Sequence, residues 1–366
     1  MIAAGGTGGH VYPALAVAEA ALKQPEITFT FVGSVDGFER PLLQEASIPF
    51  EHYDEVRAGP LHGVAPMQAV KSVFDLARGT VQAFGLLRRR RPDVILLTGG
   101  WVGLPVALAG WVRRIPILIY LPDIEPGLTI RMLKRFASRI AVTTEDSRAF
   151  FPAGKVIVTG YPIRSAIASA VRADGLTAFS LDPARRTLLV FGGSRGARTI
   201  NYAVFAIAPA LIADGIQIVQ VTGALDWDDL SSRRAALPAE VQAHYHLYPY
   251  LHHEMGAAFA CADLVVCRAG ASTLGELPYF GLPSILVPYP FAWRYQKVNA
   301  DWLADRGAAV VLPDERMSAD LLPTIRAILG DEARRADMAA RARALARPDG
   351  AERIADALLA LAKGAA

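Results

Sequence analysis

Short apolar runs alternate with longer amphipathic stretches along the chain. The runs Ile27–Val32, Val94–Leu97, Ile117–Tyr120, Ile140–Thr143 and Val156–Thr159 predict one set of strands. Leu188–Phe191, Ile216–Val221, Leu264–Cys267, Ser284–Val287 and Ala308–Leu312 predict a second. They are aliphatic, rich in β-branched residues and apolar on both faces, as parallel strands covered by helices are. Helical stretches lie between them, at Pro13–Lys23, Leu128–Ala137, Thr199–Ile212 and Thr273–Phe280. Strand and helix in alternation predict an α/β protein of open parallel sheets.

The pattern pauses between Gly160 and Asp182 and restarts at Arg186. Each half opens with a strand or chain start, then a glycine turn and a helix. Two doubly wound, Rossmann-like domains facing across a cleft follow, spanning 1–163 and 164–340, with ligands at the carboxyl ends of their strands. The alanine- and arginine-rich segment Ala333–Ala362 reads as two helices broken at Pro348-Asp349-Gly350. Its last part, 341–366, is a candidate to pack back on the first domain.

Composition narrows the class. Of 366 residues, 52% are hydrophobic and 20% charged, which supports a sizeable core and excludes wholesale disorder. A net charge of +3 is too small for a dedicated nucleic-acid binder, so no nucleic-acid partner is expected. Two cysteines at C-x5-C spacing, Cys261 and Cys267, fit neither a disulfide framework nor a zinc site. The start, Met1-Ile2-Ala3-Ala4, lacks the features of a secretory leader, and a cytoplasmic protein is expected. Val94–Val112 is uncharged and long enough to cross a membrane, but its glycines and Pro105 favour strand, turn and helix.

Gly5-Gly6-Thr7-Gly8-Gly9-His10 precedes the first helix. Its glycines allow close backbone approach, and free N–H groups at a helix start favour an anion such as a diphosphate. Neither the phosphate-loop pattern with its lysine nor the G-x-G-x-x-G fingerprint is present. The alternative is a tight turn without a ligand. Gly192-Gly193-Ser194-Arg195-Gly196-Ala197 repeats the arrangement in the second half. His10, at the end of the first loop, is a candidate base; otherwise it caps or packs. Glu276, on the first turns of a helix, can accept hydrogen bonds from two vicinal ribose hydroxyls or simply complement the helix dipole. Gln296 and Asn299 share one helical face and are candidate readers of a sugar, or solvent-facing amides. Asp226-Trp227-Asp228 matches a metal-binding D-x-D pattern but reads as a solvated loop. Val70–Arg91 sets Val73, Phe74, Leu76, Val81, Phe84, Leu86 and Leu87 beside Lys71, Arg78 and Arg88–Arg91. That suits either an anionic membrane surface or a helix packed on the sheet.

Taken in order, GGTGGHVYPALAVAEAAL, GGSRGAR, CRAGASTLGE and QKVNA resemble the MurG family of glycosyltransferases over nearly the whole chain. The resemblance implies a GT-B fold, an inverting mechanism, a UDP-sugar donor bound by the second domain, and no cofactor or catalytic metal. It implies N-acetylglucosamine transfer to a lipid-linked muramoyl-pentapeptide at the cytoplasmic face of the plasma membrane, with the first domain on the acceptor and membrane side. Thr7, Gly8 and Gly9 match donor-contacting positions, and His10 the histidine at the chemical centre. Arg164 and Ser194 match diphosphate-side positions. Ala271, Ser272, Thr273, Leu274, Gly275 and Glu276 match the nucleotide segment, with Glu276 on the ribose. Leu251 matches a uracil neighbour, and Gln296 and Asn299 the sugar-reading amides. Glu125 is the reserve base, and Asp123 lies in the same substrate segment. Departures are Tyr120-Leu121-Pro122-Asp123 for the family's H-E-Q-N, Arg195 within the second loop, and Arg294-Tyr295 before Gln296. The first departure, expected at the substrate site, leaves open a different lipid or natural-product acceptor. A nucleotide-sugar-binding protein without catalysis is the remaining alternative.

Overall fold

The computed structural model describes residues 1–366 apart from 25, 38, 47, 62, 194, 195, 292–294 and 365–366. The chain forms two compact units. One contains Met1–Arg164 and Arg347–Ala366; the other contains Ser165–Ala346.

The first unit is built on a seven-stranded sheet. Its strands are β1 (Ile2–Ala4), β2 (Phe29–Ser34), β3 (Phe50–Val56), β4 (Ile95–Gly99), β5 (Ile117–Leu121), β6 (Arg139–Val142) and β7 (Val156–Val158). All pairings are parallel, in the order β3-β2-β1-β4-β5-β6-β7. The second unit holds β8 (Arg186–Phe191), β9 (Ile216–Val221), β10 (Tyr245–Tyr248), β11 (Leu264–Cys267), β12 (Ser284–Leu286) and β13 (Ala309–Val311). Their order is β10-β9-β8-β11-β12-β13, again parallel. The first strand of each unit is therefore flanked by the second and the fourth. At that point the crossovers diverge to the two sides, leaving a crevice at the carboxyl ends.

The central strands of each sheet are buried on both faces. Ile95, Leu97, Ile117, Ile119 and Val142 pack with helical Leu86, Leu87, Val106 and Leu133 in the first core. Leu188, Val190, Ile218 and Val266 pack with Ile200, Val204, Leu211, Leu321 and Ile325 in the second. The uncharged Val94–Val112 segment is β4, a glycine turn and the Gly103–Val112 helix. Among the described residues no helix is long and apolar enough to cross a membrane.

The two closing helices, Glu332–Ala344 and Gly350–Ala362, are separated at Pro348-Asp349. The chain returns to the first unit between them, at 347. Ile354, Ala355, Leu358 and Leu361 are buried there. That helix packs on the Gly8–Ala21 helix and on β5. Lys23 pairs with Glu352 at 2.9 Å.

Candidate active site

Parallel strands send all their outgoing loops to one edge, and predicted site residues among the described ones lie on the segments that leave it. In the first unit β1 leads into Gly5–His10, β4 into Gly99–Trp101, β5 into Pro122–Gly127 and β7 into Thr159–Arg164. The helix after β1 starts at Gly8, five residues before the expected Pro13, which sits inside it. Gly8, Gly9 and His10 therefore form the first helical turn, where the leading N–H groups have no carbonyl one turn back. Gly100 has φ +84°, and a Cβ there would lie 2.3 Å from Gly5 O. Only glycine lets the β1 and β4 loops touch.

His10 is half-buried. Its Nδ1 lies 2.9 Å from Gly5 O and 3.3 Å from Thr7 Oγ1. A carbonyl oxygen only accepts, so Nδ1 carries the proton and donates to Gly5 O. In the neutral ring the lone pair then resides on Nε2. The ring rests on Gly99, where a Cβ would stand 2.7 Å from Nε2. Thr98 Oγ1 donates to His10 O at 2.6 Å. Arg164 lays its guanidinium over the Tyr12 ring at 4.1 Å, which fixes a cation beside the first helix. Asp123 and Glu125 are half-buried in the β5 loop.

The departure at 120–123 falls at the carboxyl end of β5 and is mostly buried. Tyr120 is fully buried within β5, Leu121 is nearly so, and Pro122 is buried too. Tyr120 Oη meets Thr143 Oγ1 at 2.8 Å and lies 3.5 Å from Gly160 O. Burial pushes its phenol well above the ordinary value. Three of the four altered positions are thus buried, and Asp123 is half-buried.

In the second unit β8 leads into Gly192–Ala197 and β11 into Arg268–Ser272. Gly196 has φ +77°, and a Cβ there would lie 2.2 Å from Thr222 O. Ser194 and Arg195 fall outside the described residues. After β11, Thr273 Oγ1 donates to Gly270 O at 2.6 Å and opens the Thr273–Phe280 helix. Thr273 and Leu274 are buried, whereas Ala271, Ser272, Gly275 and Glu276 are half-buried. Glu276 N donates to Ser272 O at 2.8 Å, which places the carboxylate on the first turn. Leu251 is buried at the carboxyl end of β10.

Gln296 and Asn299 lie on the Tyr295–Asp305 helix. Gln296 Oε1 accepts from Tyr289 N at 2.9 Å, beyond β12. Asn299 is fully buried, and its Nδ2 donates to Ala269 O at 3.2 Å, beyond β11. The two amides hold the exits of adjacent strands. Arg268 ties the same edge together. Its guanidinium donates to Thr199 Oγ1 at 2.9 Å, to Asp314 and to Val287 O, under the Tyr289 ring.

The description "Glycosyltransferase family 28 N-terminal domain" matches residues 1–142, and the C-terminal domain of the same family matches 187–354. The chain is a family 28 glycosyltransferase. The transferase is 40% identical to UDP-N-acetylglucosamine–N-acetylmuramyl-(pentapeptide) pyrophosphoryl-undecaprenol N-acetylglucosamine transferase of Roseiflexus sp. (strain RS-1), over 96% of this chain and 92% of the relative. It is 38% identical to the protein of that name from Desulforudis audaxviator, over 99% and 98%. Among solved structures, Acinetobacter baumannii MurG covers 98% of both chains at TM-score 0.73 and 27% identity. The UDP-GlcNAc 2-epimerase of Neisseria meningitidis, at 14% identity and TM-score 0.70, shares the fold over 98% and 99%. The architecture of the transferase is GT-B.

Other sequence features of the transferase take structural roles. Asp226 opens the Trp227–Ala235 helix and is not in a solvated loop. It is buried, and it accepts from Asn201 Nδ2 at 2.9 Å. Among the described residues no group of acidic, histidine or cysteine side chains is arranged to hold a metal. Cys261 and Cys267 are buried free thiols, and burial pushes Cys261 up to about 11. Sequence reasoning passed over Gly99 and Gly100 as site residues, although Thr98-Gly99-Gly100 after a strand was the available signal. It also passed over Glu39.

Proposed function

We propose that this glycosyltransferase transfers N-acetylglucosamine from UDP-N-acetylglucosamine to the muramoyl sugar of an undecaprenyl-diphosphate-linked pentapeptide, with inversion. The observation that carries the reading is the near full-length match, at 35–40% identity, to relatives bearing that activity in their names. Tyr120, Leu121 and Pro122 are buried, which leaves Asp123 as the altered position open to an acceptor.

The second unit is the donor domain. Glu276 accepts from the ribose hydroxyls, Leu251 lies by the uracil, and the segment from Ala271 to Gly275 backs the nucleotide. Ser194 and the glycine turn donate to the diphosphate, and Gln296 faces the sugar. Asn299 serves that site by holding Ala269. In the first unit Thr7, Gly8 and Gly9 offer N–H groups toward the donor, and Arg164 supplies positive charge.

The acceptor hydroxyl attacks the anomeric carbon from the face opposite UDP. His10 Nε2 removes its proton as the new C–O bond forms. The bond to the diphosphate oxygen breaks, and that oxygen keeps the electron pair. Fixed N–H donors and Arg164 stabilise the growing charge. Glu125 is the reserve base, and Asp123 contributes to the acceptor side.

His10→Ala tests the assignment. Turnover is expected to fall by about 10²–10⁴-fold with UDP affinity by titration calorimetry nearly unchanged. Turnover like that of the wild type would move the base elsewhere, with Glu125→Gln the next variant.

The transferase works, on this reading, as a peripheral protein at the cytoplasmic face of the plasma membrane, bound through the Pro66–Arg90 helix. Met67, Val70, Phe74 and Val81 make an exposed apolar stripe on that helix, beside Lys71 and Arg78.

A further inference from the structure

Glu39 is fully buried at the start of the Glu39–Glu45 helix, beneath the first glycine turn. Its Oε1 accepts from Gly6 N at 3.2 Å and from Ser34 Oγ at 3.3 Å. Its Oε2 is buried without a hydrogen-bond partner. A buried carboxylate so sparsely satisfied destabilises a fold, yet the surrounding chain is shaped to hold it. A Cβ at Gly5 would lie 2.5 Å from Oε1, and one at Gly37 only 1.7 Å from Oε2. The carboxylate thus occupies the space that side chains at Gly5 and Gly37 would take.

The peptide that Glu39 grips is the one that holds His10. Gly6 N–H points to the carboxylate, while the carbonyl of the same peptide, Gly5 O, accepts from His10 Nδ1. The result is a continuous chain: carboxylate, peptide, imidazole. An acceptor on the N–H side polarises a peptide and enriches its carbonyl oxygen in negative charge. The bond from Nδ1–H to that oxygen strengthens accordingly, and more so when the ring becomes imidazolium.

We propose that Glu39 is a positioning residue for the transfer reaction: acting through the Gly5–Gly6 peptide, it fixes the Nδ1–H tautomer of His10 and makes Nε2 a stronger base. The arrangement does across one peptide what a carboxylate does directly in an acid–histidine pair. The proposal rests on the reading of His10 as the base. Other groups face the pair. The Tyr53 phenol is pushed up to about 12 by burial and by the charges of Glu39 and Glu55, with Arg40 opposing. Arg40 covers the Tyr53 ring at 4.6 Å. Thr7 Oγ1 and Gly99 border the imidazole.

Glu39→Gln keeps the shape and an oxygen for Gly6 N–H but removes the charge. The readouts are the His10 imidazole pKa by nitrogen NMR, the pH profile of kcat, and the donor KM. His10→Ala identifies the resonance among the seven histidines. The expected result is a lower imidazole pKa and an acid limb of kcat displaced to lower pH. Plateau kcat falls by about tenfold, and the donor KM stays within about twofold of the wild type. An unchanged imidazole pKa in folded Glu39→Gln overturns the proposal, even where His10→Ala is inactive. Conversely, active His10→Ala would remove the base assignment while the imidazole pKa still decides the coupling. Should Glu39→Gln fail to fold, the wild type decides. Neutral His10 must carry its proton on Nδ1, and an Nε2–H tautomer refutes the coupling.

Discussion

A hydroxyl inside a parallel sheet needs a partner, and Tyr120 has one in Thr143. Thr143 Oγ1 donates in turn to Leu121 O at 3.1 Å and Pro122 O at 2.9 Å, so the phenol is the donor to Thr143. Tyr120→Phe deletes that donor and leaves the bonds from Thr143 intact. The expected cost is about 1 kcal/mol, read as a lower Tm, with acceptor choice unchanged in a substrate panel. A shifted acceptor preference would return position 120 to the site. His10 was legible in the sequence because it closes a glycine run. Glu39 was not: nothing in its local spacing ties it to Gly6, 33 positions away. Asn299 was legible as an amide near a sugar segment. Its burial against Ala269 was not, since the i, i+3 spacing gives a shared face but not what that face meets.

Among elements, the Pro66–Arg90 helix divides the apolar residues that its sequence groups together. Leu76, Leu86 and Leu87 are core, whereas Val73, Phe74 and Val81 are exposed. Of its closing arginines, Arg89 and Arg90 pair with Asp54 at 3.2 and 2.9 Å. Membrane affinity is therefore expected to depend on the stripe rather than on those two cations. Replacing Val70 and Phe74 by serine should abolish co-sedimentation with anionic liposomes. Retained binding would discard the stripe. The longer strands that the pattern missed, β3 and β10, are both sheet edges. An edge has one side against solvent and needs no continuous apolar run; Glu51-His52 in β3 is exposed. β10 also carries a pH dependence. Burial first, then Arg234 and His244, lower His246 from 6.5 to about 4. As pH falls through that interval the unfolded chain takes up the proton before the folded one, so stability is lost. His246→Gln should flatten the fall of Tm between those values; an unaltered fall would assign acid sensitivity to other groups.

For the molecule as a whole, the repeated opening of strand, glycine turn and helix was enough to read two parallel-sheet units. The strand order β3-β2-β1-β4 and its counterpart β10-β9-β8-β11 cannot be read from any single run. The assignment of the closing helices was open for a physical reason. Both are alanine-rich with one buried face, and composition does not say which unit a face meets. Ile354, Leu358 and Leu361 are each worth about 1.5–3 kcal/mol on burial, a sum comparable with the net stability of a domain. Residues 1–164 expressed alone should therefore fail to melt cooperatively, and joining 347–364 through a flexible linker should restore the transition. Cooperative melting of 1–164 by itself would make the helix dispensable.

The return of the chain at 347 also sets an order in time. Synthesis delivers the first sheet, then the entire second unit, and only afterwards the helix that covers the first. On the ribosome the Gly8–Ala21 helix waits with one flank uncovered until that late segment emerges. Completion of the first unit thus reports that the second has already been made, and damage near residue 355 appears as instability of the half that was translated first.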